Sequence, residues 1–125
     1  MAVEPKSILV VDDETYTREL LEMLLGDEGY KVKTAKDGFE AIDLIKKRSF
    51  DLICMDVRMP GLNGVETLAE IRKVDDKIPV IMITGYGPNE LVKKAQDEYH
   101  IVGCIYKPFD IDEFLAEIKS AINKK

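Results

Sequence analysis

Five side chains in this 125-residue sequence have the chemistry to work together: Asp12, Asp13, Asp56, Thr84 and Lys107. Each follows a short apolar run: SILVV at 7–11, LICM at 52–55, VIMI at 80–83 and IVGCIY at 101–106. If the runs align, three carboxylates meet. Like charges that close repel unless a cation joins them or one keeps its proton. An oxygen-only cluster open to water suits Mg²⁺, which binds through few carboxylates and keeps several waters. Lys107 adds a point positive charge and Thr84 a hydroxyl donor. Such a set would stabilise a phosphoryl group carried on Asp56, because charge spreads over its oxygens during transfer. The alternative is a solvated acidic rim with one counter-charged lysine. Five such residues at the ends of four strands weigh against it.

The runs themselves dictate what positions these groups. Leu52 to Met55 is apolar throughout and meets Pro60-Gly61 soon after Asp56. A short apolar run bounded by turn residues suits a strand covered on both faces. Ser7 to Val11 and Val80 to Ile83 read the same way, with Pro79 at a position a strand start tolerates. Tyr30 to Thr34 alternates, as a strand near a sheet edge would. Ile101 to Tyr106 is the fifth strand.

Between the strands lie helical patterns. Glu14 to Glu28 places Leu20, Leu21, Leu24 and Leu25 at helical spacing, and Gly29 fits its stop. Asp37 reads as an N-cap with Glu40 able to reach back, opening a helix to about Arg48. Gly61 to Gly64 is loop, and Val65 to Lys73 a third helix. Pro88 suits the first turn of a helix to about Glu98. Asp110 and Glu113 repeat the capping pattern before Phe114, Leu115, Ile118 and Ile122.

Five βα units in one domain, residues 1–125, predict an α/β fold. It is a doubly wound, flavodoxin-like five-stranded parallel sheet with helices on both faces and strand order 2-1-3-4-5. All five chemical residues then share one sheet edge, the carboxyl ends of the strands, where ligands collect in such folds. That order also separates Cys54 from Cys104 by a whole strand. At roughly 4.8 Å per strand, their backbones should stand about 9–10 Å apart, beyond the roughly 7 Å a disulfide spans. Both cysteines read as small core residues of a reduced, cytoplasmic protein.

Composition narrows the function classes. Eighteen basic and 24 acidic side chains give a net charge of -6, which argues against nucleic acid as a partner. No apolar run approaches the roughly 20 residues needed to cross a bilayer, so no membrane role is expected. Met1 to Ser7 is too short and polar for a secretory signal.

VVDDE at 10–14, DGFEA at 37–41, MDVRMPGLNG at 55–64, TGYG at 84–87 and YKPF at 106–109 stand in an order and spacing that resembles the receiver domains of two-component response regulators. The resemblance covers essentially the whole chain. It implies Asp56 as phosphoacceptor. It also implies Mg²⁺ held by Asp12, Asp13 and Asp56 with the Arg58 backbone carbonyl as a further ligand. Thr84 and Lys107 would contact the phosphoryl group, and Lys107-Pro108 would be a cis peptide. Two positions depart from the family. Cys104 stands where a Tyr or Phe that reorients on phosphorylation is usual, and His100-Ile101 replaces a usual Gly-Ala. His100, the only histidine, reads as a surface loop residue.

No output domain follows the last helix, so a non-enzymatic, monomeric, stand-alone receiver is expected. It would take phosphate from a histidine kinase and pass it to a histidine phosphotransfer protein. The PFDIDE stretch at 108–113 and the pair Arg58 and Tyr86 resemble single-domain relay receivers of sporulating bacteria. A chemotaxis-type receiver that binds a target, or a receiver cut from a longer transcriptional regulator, would read similarly. An Mg²⁺-dependent phosphatase would need its aspartyl nucleophile in an Asp-x-Asp pair after the first strand. Here Asp12 and Asp13 are adjacent. The partner surface is expected around Thr15, Tyr16, Arg18 and Leu20 and around Pro108, Phe109 and Asp110. Arg58 and Tyr86 are expected to flank the path by which water reaches the phosphoryl group.

Overall fold

In the computed structural model, which describes residues 4–85 and 90–123, the chain alternates strands and helices throughout. The order is β1 (Ser7–Val11), α1 (Thr15–Asp27), β2 (Lys31–Ala35), α2 (Gly38–Lys47), β3 (Leu52–Asp56), α3 (Gly64–Val74), β4 (Val80–Thr84), α4 (Glu90–Tyr99), β5 (Gly103–Tyr106) and α5 (Ile111–Asn123). The five strands form one parallel sheet in the order β2-β1-β3-β4-β5, as the βα alternation predicts.

Apolar alternation explains the layering. Leu9, Val11, Ile53, Met55, Val80 and Met82 face one core, beneath α2, α3 and α4. Their neighbours Ile8, Val10, Leu52, Cys54, Ile81 and Ile83 face the other, beneath α1 and α5. Every residue of β3 and β4 is buried, so a continuous apolar run is what these strands require. Cys54 thus lies in one core while Cys104 packs against the other, and both thiols are free. Burial pushes the Cys54 thiol up to about 12, which keeps it an inert core group.

The helix signals act largely as read. Gly29, at φ +94°, closes α1. Its amide donates to Gly26 at 3.0 Å and the Tyr30 amide to Leu25 at 3.2 Å, a Schellman turn. Asp37 caps α2 through the Glu40 amide at 2.8 Å, but Glu40 returns its carboxylate to the Lys36 amide rather than to the cap itself. Asp110 caps α5 through the Glu113 amide at 3.1 Å. The start of α3 carries a full capping box between Asn63 and Glu66, a signal the Asn-x-x-Glu spacing holds and the loop reading at 61–64 passed over.

Two strand starts differ from the sequence expectation. Strand β2 begins one residue later, at Lys31, whose amide donates to Lys6 at 2.9 Å. Strand β5 begins at Gly103, not Ile101. The reason lies in Arg72, whose guanidinium binds the carbonyls of Tyr99 at 2.9 Å, Ile78 at 2.7 Å and His100 at 3.2 Å. These bonds hold the residues after α4 in a turn, with His100 exposed at φ 57°. The expected first turn at Pro88 lies outside the described residues. No helix among the described residues is long and apolar enough to cross a membrane.

Candidate functional site

The strand ends deliver the five predicted residues to one edge. Backbone ladder bonds continue past the strands and fix them. The Asp12 amide donates to Ala35 at 3.1 Å, Val57 to Ile83 at 3.0 Å and Lys107 to Thr84 at 2.7 Å. The last of these lines β5 up so that its lysine crosses toward the first and third strands. The Lys107-Pro108 peptide is cis.

Asp12 and Asp56 are buried, Asp13 is exposed, and one oxygen from each lies within 4.8 Å of the others. Lys107 Nζ stands 3.5 Å from Asp12 Oδ2 and 3.7 Å from Asp56 Oδ2. The remaining carboxylate oxygens are held by the backbone. Asp12 Oδ1 accepts from the Glu14 amide at 2.8 Å, and Asp56 Oδ1 accepts from the Arg58 amide at 3.2 Å. Both carboxylates are therefore aimed, with Oδ2 turned inward.

Among the described residues two buried side-chain oxygens make no hydrogen bond: Asp12 Oδ2, which faces Lys107 Nζ at 3.5 Å, and Thr84 Oγ1. Buried polar atoms are nearly always satisfied, so an exception asks for a missing partner. A small hard cation and a phosphoryl oxygen are the partners these atoms fit. Octahedral Mg²⁺ at about 2.1 Å holds oxygens roughly 3–4 Å apart, and the three carboxylates offer oxygens within 4.8 Å of one another. The donor set is oxygen only, partly buried and open to water through Asp13.

Burial raises the Asp56 carboxyl from its usual 3.8 to about 6. Lys107 and the Arg58 amide pull it down, while Asp12 and Asp13 push it up. Near neutral pH the group is therefore mostly ionised, yet held in a site that disfavours its charge. That is the condition of a reactive nucleophile.

The β3–α3 turn passes close behind this nucleophile. A Cβ on Gly64 would meet the Asp56 carbonyl oxygen at 2.7 Å and Val57 Cα at 2.9 Å. Only glycine lets α3 start there. The sequence reading used Gly64 as a loop signal and missed this close approach. It also placed Arg18 only on the expected partner surface, whereas its guanidinium binds the Asp12 carbonyl at 2.6 Å.

Other expected residues divide. Tyr16 is 75% exposed, as a docking residue should be. Leu20 is half-buried on α1, and the Phe109 ring packs on Phe114 with centroids 5.0 Å apart. Arg58 is exposed beside the pocket, and Tyr86 lies outside the described residues. Cys104, at the position where receiver domains usually carry an aromatic ring, is half-buried.

Fold and site together define a class: a doubly wound α/β domain with an oxygen-lined acidic pocket and a facing lysine at the carboxyl edge of its sheet. The chain belongs to the response regulator receiver domain family, whose model matches residues 8–119. It is 34% identical to sporulation initiation phosphotransferase F of Bacillus subtilis, covering 96% of both chains. It is 41% identical to the transcriptional regulatory protein CpxR homolog of Haemophilus influenzae, over 94% of this chain but 50% of that one. Among solved structures it resembles a CheY-like receiver domain protein of Methanospirillum hungatei, with TM-score 0.90 and 29% identity over 95% of this chain and 94% of that one. Chemotaxis protein CheY4 of Vibrio cholerae gives TM-score 0.87 and 31% identity, over 94% and 98%.

Proposed function

We propose that the chain is a phosphoacceptor that takes a phosphoryl group from a histidine kinase onto Asp56 and passes it to a histidine phosphotransfer protein. The observation that carries this is the pairing of an aimed, burial-activated Asp56 with Lys107 at 3.7 Å and a buried Thr84 hydroxyl that makes no hydrogen bond among the described residues. An Asp56 oxygen attacks the phosphorus of a phosphohistidine. The N–P bond breaks and the imidazole keeps its electron pair. Lys107 and Thr84 meet the charge that develops on the phosphoryl oxygens. Asp12, Asp13 and Asp56 would hold Mg²⁺, with the Arg58 carbonyl as a further ligand, and the ion would neutralise charge that three carboxylates and a phosphoryl group cannot share alone. Attack by a second protein's histidine on the acyl phosphate reverses the step.

The match over 96% of the Bacillus phosphotransferase supports relay transfer. The match to half of the Haemophilus regulator supports a second reading, a receiver that controls an attached output. In either case the domain is a carrier and not a turnover enzyme. The deciding experiment offers a phosphorylated histidine kinase and then a histidine phosphotransfer protein, with and without Mg²⁺. Label should move onto the chain only with Mg²⁺ or Mn²⁺, vanish in Asp56→Asn, and leave again to the second histidine. Undiminished labelling of Asp56→Asn places the acceptor elsewhere. Label that never leaves for a histidine rejects the relay.

A further inference from the structure

A second concave site lies at the opposite end of the sheet from the acid pocket. Strands of five residues at about 3.3 Å each put roughly 15 Å between the two. The groove encloses about 280 Å³, where the start of β2 meets the turn from α2 to β3. Lys31, Lys33 and Arg48 line it with Ser49, and Phe50 adds apolar surface. Among the described residues no carboxylate lines it, although the chain as a whole carries a net charge of -6.

Alternation makes this convergence. Lys31 and Lys33 are two apart on β2 and so point to one face, while Val32 packs against the core on the other. Arg48 follows the last helical residue of α2 and is exposed. None of the three makes an ion pair among the described residues, where Lys47, one residue away, is paired with Asp43 at 3.0 Å. Edge-strand lysines commonly guard against stray strand pairing, and last-turn cations offset a helix's carbonyl end. Neither role calls for an arginine and two lysines around one hollow with apolar surface. Three like charges at one concavity favour an anion between them, and a guanidinium is well shaped for phosphate oxygens.

We propose that this groove binds a small organic phosphate monoester, its phosphate on Lys31, Lys33 and Arg48 and its apolar part on Phe50. The volume is near the lower end of small-ligand pockets, about 300 Å³. Because the cations are exposed, binding weakens as salt rises.

Phenyl phosphate and inorganic phosphate are suitable probes, titrated separately into the metal-free full chain at constant ionic strength and followed by amide ¹H–¹⁵N spectra. Phenyl phosphate should give saturable shifts at residues 31–33 and 48–50, with inorganic phosphate at least threefold weaker. Lys33→Gln/Arg48→Gln should weaken phenyl phosphate about tenfold while labelling of Asp56 by acetyl phosphate stays at the wild-type rate, which also reports an intact fold. Shifts that do not saturate, that map to the Asp12–Asp56 end, or that persist in the double variant overturn the site. Equal affinity for the two probes overturns the assignment to an organic ester.

Discussion

The guanidinium of Arg18 reaches back across the first turn of α1 and donates to the backbone carbonyl of Asp12 at 2.6 Å. Its other nitrogen donates to Thr15 Oγ1 at 3.2 Å. The Asp12 carboxylate is meanwhile tied to the Glu14 amide. Both ends of Asp12 are therefore fixed, and Oδ2 is left pointing into the pocket. Removing such an orienting group typically costs 10–100-fold in metal affinity. Arg18→Ala should weaken Mg²⁺ binding about tenfold by titration calorimetry, with Arg18→Lys in between. At saturating Mg²⁺ acetyl phosphate should label the variant almost normally. An unchanged Mg²⁺ affinity would show that the β1–α1 turn holds Asp12 without help.

Asp56 gives the metal-free protein a definite pH dependence. Its folded-state value, about 6, lies above its ordinary 3.8, so folding favours the protonated form. The cost of ionising it is absent below about pH 4, grows as pH rises through the interval to 6, and is complete above it. Two pH units correspond to about 3 kcal/mol, an upper bound for one carboxyl. Asp56→Asn should therefore stabilise the metal-free protein by about 1–3 kcal/mol at pH 7.5 and by little at pH 3.5. Added Mg²⁺ should narrow the gap at pH 7.5 by stabilising the wild type. Thermal unfolding across this range checks it, and equal stability at both pH values rejects it.

The sheet order and the convergence of the five strand-end residues were legible because they rest on strong local signals: unbroken apolar runs, and polar residues at their ends. What was illegible depends on distances between segments far apart in sequence. Nothing in the string around Arg72 says that it will bind the carbonyls of Tyr99 and His100 and delay β5 by two residues. Arg18 likewise looks like any helix-surface cation until Asp12 is placed beneath it. The Asn63–Glu66 box is different. Its spacing was readable, and Pro60-Gly61 drew attention to the loop instead. Leu20 and Phe109 share one ambiguity: apolar groups at a core's rim read alike whether they pack inward or dock a partner.

Gly64 shows how closely packing and chemistry are joined. Alanine there would drive a methyl into the Asp56 carbonyl and Val57 Cα, both backbone atoms that no rotamer change can move. Overpacking of this kind costs roughly 1–3 kcal/mol. Gly64→Ala should lower stability by about that amount and slow acetyl phosphate labelling, since relief requires shifting the turn that bears Asp56. Gly26→Ala is the control, because nothing lies within 4 Å of a Cβ there. It should label normally and be no less stable. Similar losses in both variants would refute the argument.

Docking and chemistry can be separated at Tyr16. The side chain is 75% exposed on the first turn of α1, and Ile111, at the start of α5, is 49% exposed. Exposed aromatic and apolar groups of this kind are frequent interface anchors. Tyr16→Ala should slow transfer from a phosphohistidine partner about tenfold while leaving acetyl phosphate labelling and stability unchanged. Leu20→Ala should slow transfer too, but with some loss of stability, because Leu20 is half-buried. If Tyr16→Ala slows both donors equally, its effect is on the pocket and the docking surface lies elsewhere.

Lifetime of the acyl phosphate tests the relay reading most directly. Water must attack in line from the side opposite the Asp56 oxygen. Arg58 sits two residues on, exposed, with its amide already bound to Asp56 Oδ1 at 3.2 Å. Its long side chain can cover that approach and pair with phosphate oxygens. Tyr86, two residues after Thr84 in sequence, is the second large side chain of the pair. Gly85, with nothing within 4 Å of a built Cβ, leaves room for a protein histidine to enter. The phosphorylated chain should therefore resist water yet exchange readily with a histidine partner, as a relay requires. With Cys104 in place of an aromatic ring, the accompanying conformational change should be modest and centred on Thr84. Arg58→Asn/Tyr86→Glu should lose phosphate to water several-fold faster while still accepting it from the kinase. If the double variant decays at the wild-type rate, these side chains do not shield the phosphoryl group, and a carrier role must draw its stability from the pocket itself.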